Sequence, residues 1–231
     1  LNPFSDSRGS WSNSSAVVLE VISALSHINE VDSIHQGSAV KLAYSDSYFD
    51  AVMTDPPYYD NVPYADLSDF FYVWLKRTIG DLYPDLFATP LTPKGEEIVQ
   101  LAERNPKYAA KTRQFFEDML TKAFKEIYRV LKPQGIACIV FGHRSTEAWE
   151  TVINALLNSG LYLTGSWPVQ TERPRRQRSE GSAALASSIY MVCRKKTREK
   201  TAYFNEIKGE MEKRVKEKLT QFWDEGVSGA D

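Results

Sequence analysis

Cysteine is scarce: Cys138 and Cys193 are the only two among 231 residues, far apart and with no paired spacing. A zinc ribbon needs four ligands arranged in close pairs, so it is excluded on ligand count, and no metal site is expected. Each cysteine lies in an apolar run, which predicts two buried free thiols in a reducing compartment. Long hydrophobic runs are lacking too, and the N-terminus carries no signal-peptide pattern. No membrane association and a cytoplasmic location are therefore expected. A dominant charge sign is also missing: 28 Lys and Arg face 30 Asp and Glu, for a net charge of -2. The chain is no polycation, so any nucleic acid must be met by a local patch. An initiator methionine is absent before Leu1, so a processed product or a piece of something longer is expected.

What is present is 42% hydrophobic and 25% charged residues, an ordinary globular balance with length enough for one domain and a sizeable core. Helical spacing of Val17, Val18, Val21, Ile22, Leu25 and Ile28 predicts a helix over about 15–29. Short strands are expected at 32–36 and 48–54, the second stopped sharply by Asp55-Pro56-Pro57 because proline cannot continue a ladder. Residues 66–79 read as a helix whose Phe70, Phe71, Tyr72 and Trp74 are expected in the core. An insertion near 80–106, with Pro84, Pro90, Pro93 and Pro106, is predicted to hold one short helix at 96–103. A long amphipathic helix over 108–131 stops at Lys132-Pro133-Gln134-Gly135. A buried strand at 136–141, a helix at 146–158 capped by Gly160, strands at 161–167 and 188–193, and a charged helix at 203–223 follow.

Strands alternating with helices argue an α/β sheet with parallel strands. The last two strands are joined by a polar loop and can pair antiparallel at the sheet edge. Residues 1–200 are expected to form one domain and 201–231 a C-terminal amphipathic helix.

Asp55-Pro56-Pro57-Tyr58 is the most informative stretch, because it is expected at the C-terminal end of a buried strand, where open α/β sheets bind ligands. It matches the DPPY signature of amino-group methyltransferases. The chemistry accounts for the residue types. An exocyclic base amine is a poor nucleophile, since its lone pair is delocalised into the ring. The Asp55 carboxylate and the Pro56 carbonyl can accept both N–H groups and favour a more tetrahedral nitrogen. Pro56 and Pro57 fix the backbone so that the carbonyl points inward. Tyr58 offers a ring face for a flipped base, worth roughly 1–3 kcal/mol of stacking. Tyr59, Asn61, Tyr64 and His143 are candidates to line the base pocket. Arg173, Arg175, Arg176 and Arg178 are candidates for phosphate contacts. Loop packing, a structural histidine and a solvated charged loop are the respective alternatives.

The order of segments resembles the class I S-adenosylmethionine-dependent methyltransferases, which implies a Rossmann-like sheet and S-adenosylmethionine as cofactor. Gly37-Ser38-Ala39 resembles the family's Gly-Asp-Ala turn, which contacts the cofactor adenine, with Ser38 in place of Asp. Together with Asp55 these residues are the implied cofactor contacts. The run from Asp55 to Lys76 resembles the large adenine-specific DNA methylases that contain a zinc ribbon, and this resemblance extends from about Asn2 to Lys196. It includes Phe141-Gly142-His143-Arg144, Ala148-Trp149-Glu150 and the stretch from Trp167 to Glu172. The chain departs from the family in lacking both the ribbon and a cofactor-binding glycine loop. The sheet is thus expected to be incomplete on its N-terminal side, with the first strands upstream or on a partner subunit. The resemblance implies methyl transfer to adenine N6 in DNA, within a restriction-modification or phage-defence setting. Cytosine N4, an RNA base or a protein glutamine amide are alternative acceptors, and a non-catalytic nucleic-acid-binding or partner module is the alternative class.

Overall fold

The computed structural model describes residues 10–26, 36–170, 187–196 and 203–224. The chain divides into two units, Leu1–Gly37 and Ser38–Asp231. In the first, α1 (Trp11–Leu25) begins at Ser10, whose hydroxyl accepts from the Asn13 amide at 3.3 Å. The helix starts earlier than the apolar spacing suggests, because the capping serine precedes that spacing. The strand expected at 32–36 falls almost wholly outside the described residues.

The second unit is built on a four-stranded sheet in the order β1-β2-β4-β3. Here β1 is Phe49–Thr54, β2 is Leu131–Phe141, β3 is Leu161–Gln170 and β4 is Ser187–Lys195. β1 and β2 are parallel; β4 runs antiparallel to both β2 and β3. The architecture is therefore α/β with a mixed sheet: the last two strands pair antiparallel at one side, as the sequence suggests, but the reversed strand β4 lies inside and the edge strand β3 runs in the same direction as β1 and β2.

Two helices form the layer on one face. α3 (Arg113–Val130) opens on Thr112, whose hydroxyl accepts from the Phe115 amide. α4 (Thr146–Ser159) opens on Ser145 and closes on Gly160 at φ 85. That left-handed C-cap is the one the Gly160 position predicts. Phe116, Leu120 and Phe124 of α3 and Val152 and Leu156 of α4 pack on Ala137, Ile139 and Phe141 of β2 and Met191 and Cys193 of β4. Apolar side chains at helical spacing thus meet those at strand spacing, and this is where the core sits.

The strand that precedes the motif is not buried. β1 pairs only with β2 among the described residues, and Met53 on it is 70% exposed. Residues paired with one another in register point to the same face. Met53, Cys138 and Val192 therefore lie on the sheet face opposite α3 and α4. Three further expectations change. Phe70, Phe71 and Trp74 of α2 (Tyr64–Ile79) are 66%, 66% and 57% exposed, so the helix carries an aromatic surface rather than a core face; only Tyr72 is half-buried. Residues 96–103 form no helix. Val99, Gln100 and Leu101 are buried there without helical hydrogen bonds, and the Lys111 ammonium donates to the carbonyls of Gly95 and Glu97. α3 begins at Arg113 rather than near 108, because Pro106–Tyr108 turns as a short 3-10 segment first.

The start of β1 is tied to the end of α3. Arg129 donates to the carbonyls of Leu42 and Tyr44 and to Asp46 and Glu126, while Glu126 accepts from the Leu42 amide. Hydrogen bonding to Arg129, and after it the Leu42 amide, holds the Glu126 carboxyl below its ordinary pKa. Residues 132–135 then bulge out between the paired positions Leu131 and Ile136. Gly135 is required there, since a Cβ would lie 2.7 Å from Leu131 and 2.9 Å from the Asp50 carbonyl. α5 (Phe204–Asp224) has no buried residue, and no helix among the described residues is long and apolar enough to cross a membrane.

Candidate active site

The chain leaves β1 at Thr54 and enters Asp55-Pro56-Pro57-Tyr58 at the strand's C-terminal end. Asp55 is exposed and Pro56 is buried, so the loop presents a carboxylate on a fixed backbone. Tyr58 is half-buried, with its ring edge-on to Phe141 at 5.2 Å. Burial, and after it the Asp55 carboxylate, push the Tyr58 phenol well above its ordinary pKa, while Ser188 acts in the opposite sense. The phenol therefore stays protonated beside the Asp55 carboxylate. The Asp55 carboxylate itself is open to solvent.

Behind this loop the chain makes a tight reversal. Tyr59 adopts φ 53, the left-handed region that side chains other than glycine seldom occupy. It is buried; its hydroxyl donates to Glu147 at 3.0 Å and its carbonyl accepts from the Gln100 amide at 3.0 Å. Burial and the Glu147 carboxylate raise its pKa well above the ordinary phenol value. Asp60 follows, with one oxygen 2.9 Å from His143 Nε2 and the other 3.0 Å from Arg104. The Asn61 amide closes the turn on the Tyr58 carbonyl at 3.0 Å. α2 then begins, the Ala65 amide capped by Glu97 at 2.9 Å.

The predicted site residues separate accordingly. Asp55, Pro56, Pro57 and Tyr58 share the end of β1 with Tyr59 and Asn61. Tyr64 lies at the exposed start of α2. His143 is only 5% exposed with both ring nitrogens engaged, and the buried Tyr59 has its hydroxyl bonded to Glu147. Ser38 and Ala39 sit on a turn closed by the Lys41 amide on the Ser38 carbonyl at 3.0 Å. No hydrogen bond among the described residues joins them to the Asp55 loop. Gly37 belongs to the first unit. Arg173, Arg175, Arg176 and Arg178 lie outside the described residues. No cluster of metal-ligating side chains occurs among the described residues. The sequence reading missed Asp60, Arg104, Glu147 and Ser188; charged residues just after a signature motif are the one signal that pointed to Asp60.

No family model matches the chain, and no curated protein matches it. Among solved structures it is similar to a provisionally named DNA modification methylase of Thermus thermophilus. The selenomethionine form of that protein aligns at 15% identity with a TM-score of 0.40, covering 77% of this chain. Its complex with S-adenosyl-L-methionine aligns at 16% identity and a TM-score of 0.38. The chain spans 60% of the length of the first of these.

Proposed function

We propose that this chain carries the acceptor half of an S-adenosylmethionine-dependent methyltransferase acting on an exocyclic amine of a nucleobase, adenine N6 in DNA being the favoured acceptor. The observation that supports this most is the Asp55 carboxylate: solvent-facing, at the C-terminal end of a parallel strand, beside the protonated Tyr58 phenol and followed by the buried Pro56. An amine entering there meets two acceptors, the Asp55 carboxylate and the Pro56 carbonyl. Holding both N–H groups removes the lone pair from conjugation, and positioning with electrostatics supplies the rate. The bound cofactor would supply an activated methyl group on a sulfonium centre. Asp55 and the turn at Ser38 and Ala39 are this chain's own candidates to touch it. Among the described residues β1 has one unpaired side and Met53 is exposed, which is consistent with further strands joining there, on the same polypeptide or a partner, to complete the cofactor site. A carboxylate at position 55 favours adenine over the cytosine or glutamine alternatives.

The test is transfer of labelled methyl from S-adenosylmethionine to mixed-sequence DNA and RNA, with nucleoside mass spectrometry. N6-methyladenine in DNA is expected, falling by at least about a hundredfold in Asp55→Ala, the scale of losing a transition-state acceptor. Product that persists in Asp55→Ala removes the assigned role. A different methylated nucleoside would move the acceptor to the one found. If the chain alone transfers nothing, repetition with the strands that complete its sheet decides between half-enzyme and binding module.

A further inference from the structure

His143, a candidate for the base pocket, has both ring nitrogens tied within the protein. The Ser145 amide donates to His143 Nδ1 at 3.0 Å, so that nitrogen carries no proton. The ring proton is then on Nε2, 2.9 Å from an Asp60 oxygen. The ring itself cannot drift. Its backbone carbonyl accepts from the Trp149 indole at 2.8 Å, and Trp149 packs edge-on against Phe141 at 5.0 Å. His143 is thus fixed to the end of β2 and the start of α4, the most firmly packed part of the unit. The loop it reaches is the opposite kind: an unfavourable left-handed residue, Tyr59, directly after the motif.

We propose that His143 is a positioning residue for the Asp55–Tyr58 loop: by donating Nε2–H to Asp60 it holds the chain after the motif in its left-handed turn, and so fixes where the Asp55 carboxylate and Pro56 carbonyl point. The importance of this placement for catalysis rests on the methyl-transfer reading; the clamp itself does not. Arg104 shares Asp60, but its side chain is 47% exposed against 5% for His143, so the histidine is the partner least diluted by water. A bond from a buried donor to a carboxylate is of the stronger kind and is costly to leave unmade.

The experiment is hydrogen exchange on the full chain, read at the Gln100 amide, which donates to the Tyr59 carbonyl, and at the Asn61 amide, which donates to the Tyr58 carbonyl. His143→Ala and His143→Asn are expected to speed exchange at both by roughly ten- to hundredfold, since neither places a donor where Nε2 stands. His143→Gln, whose amide nitrogen reaches that point, restores protection. Amides of β2 in the core stay unchanged. Asp60→Ala, which removes the half-exposed partner without touching the core, gives the same loosening, and adding His143→Ala to it adds nothing further. Unchanged protection in His143→Ala, a Gln variant as loose as Ala, or additive effects in the double variant would overturn the clamp. Methyl transfer by the catalytically competent protein gives the second readout: kcat falls in His143→Ala, KM for S-adenosylmethionine holds, and Gln recovers the rate. The exchange pattern without any methyl transfer by the wild type would keep the clamp and sink the functional reading alone.

Discussion

Gly160 shows how much one residue decides. It sits at φ 85 behind α4, and a Cβ there would come within 3.2 Å of the Tyr128 ring. Gly160→Ala is expected to lower stability by about 1–2 kcal/mol, from left-handed strain plus the displaced ring; a shift in the urea midpoint reads it, and an unchanged midpoint would show the cap to be dispensable. Cys193 makes a second residue-scale case. Burial pushes its thiol up to about 12 from an ordinary 9.0. The sign follows: between those values the unfolded thiol loses its proton while the folded one keeps it, so the unfolded state is favoured and stability falls as pH rises through that window. Below about 9 no loss arises from this group. At about pH 9.5 the folded chain should leave Cys193 unalkylated by iodoacetamide, whereas urea-unfolded chain reacts, as peptide mass mapping would show. Reaction in the folded chain would mean that the thiol is open to solvent.

At the scale of elements, the sequence was legible wherever a local signal and the packing agreed. α4 and its C-cap, the strand ending at Asp55-Pro56, and the β3–β4 pair all follow from periodicity bounded by Gly160 and the two prolines. Reading failed where distant partners decide. The segment around Val99 has helical-looking composition, but Lys111 captures its carbonyls from 14 and 16 residues away. Similarly, nothing in Phe70-Phe71-Tyr72-Trp74 distinguishes a core face from a surface, because periodicity records amphipathicity and not what lies opposite. Of the site, Asp55 to Tyr58 was readable from the motif, whereas the bonds of His143 required knowing that β2 ends beside Asp60. The aromatic surface of α2 has a consequence: Phe70→Ser and Trp74→Ser should change the stability of this chain by no more than ~0.5 kcal/mol, the range of surface substitutions. A loss of several kcal/mol on calorimetry would return those rings to a core.

At the scale of the whole molecule, the uneven dressing of the sheet stands out. Among the described residues α3 and α4 cover one face, Met53 stands exposed on the other, and β1 closes the sheet with one side unpaired. Sheets with parallel strands are ordinarily covered on both faces. Such an edge is also a template. Phe49–Thr54 offers six residues of extended backbone with a single charge, Asp50, and Lys132 draws that charge to 2.8 Å. The usual deterrents to strand addition, an inward lysine or a proline within the strand, are absent from it, and Pro56 arrives only after the strand has ended. Kept by itself at high concentration, this chain should accrete through β1 into intermolecular sheet, seen as a concentration-dependent rise in light scattering that Met53→Lys, at the exposed position of the strand, suppresses. The strand that delivers the acceptor carboxylate would then also set the shelf life of the isolated protein.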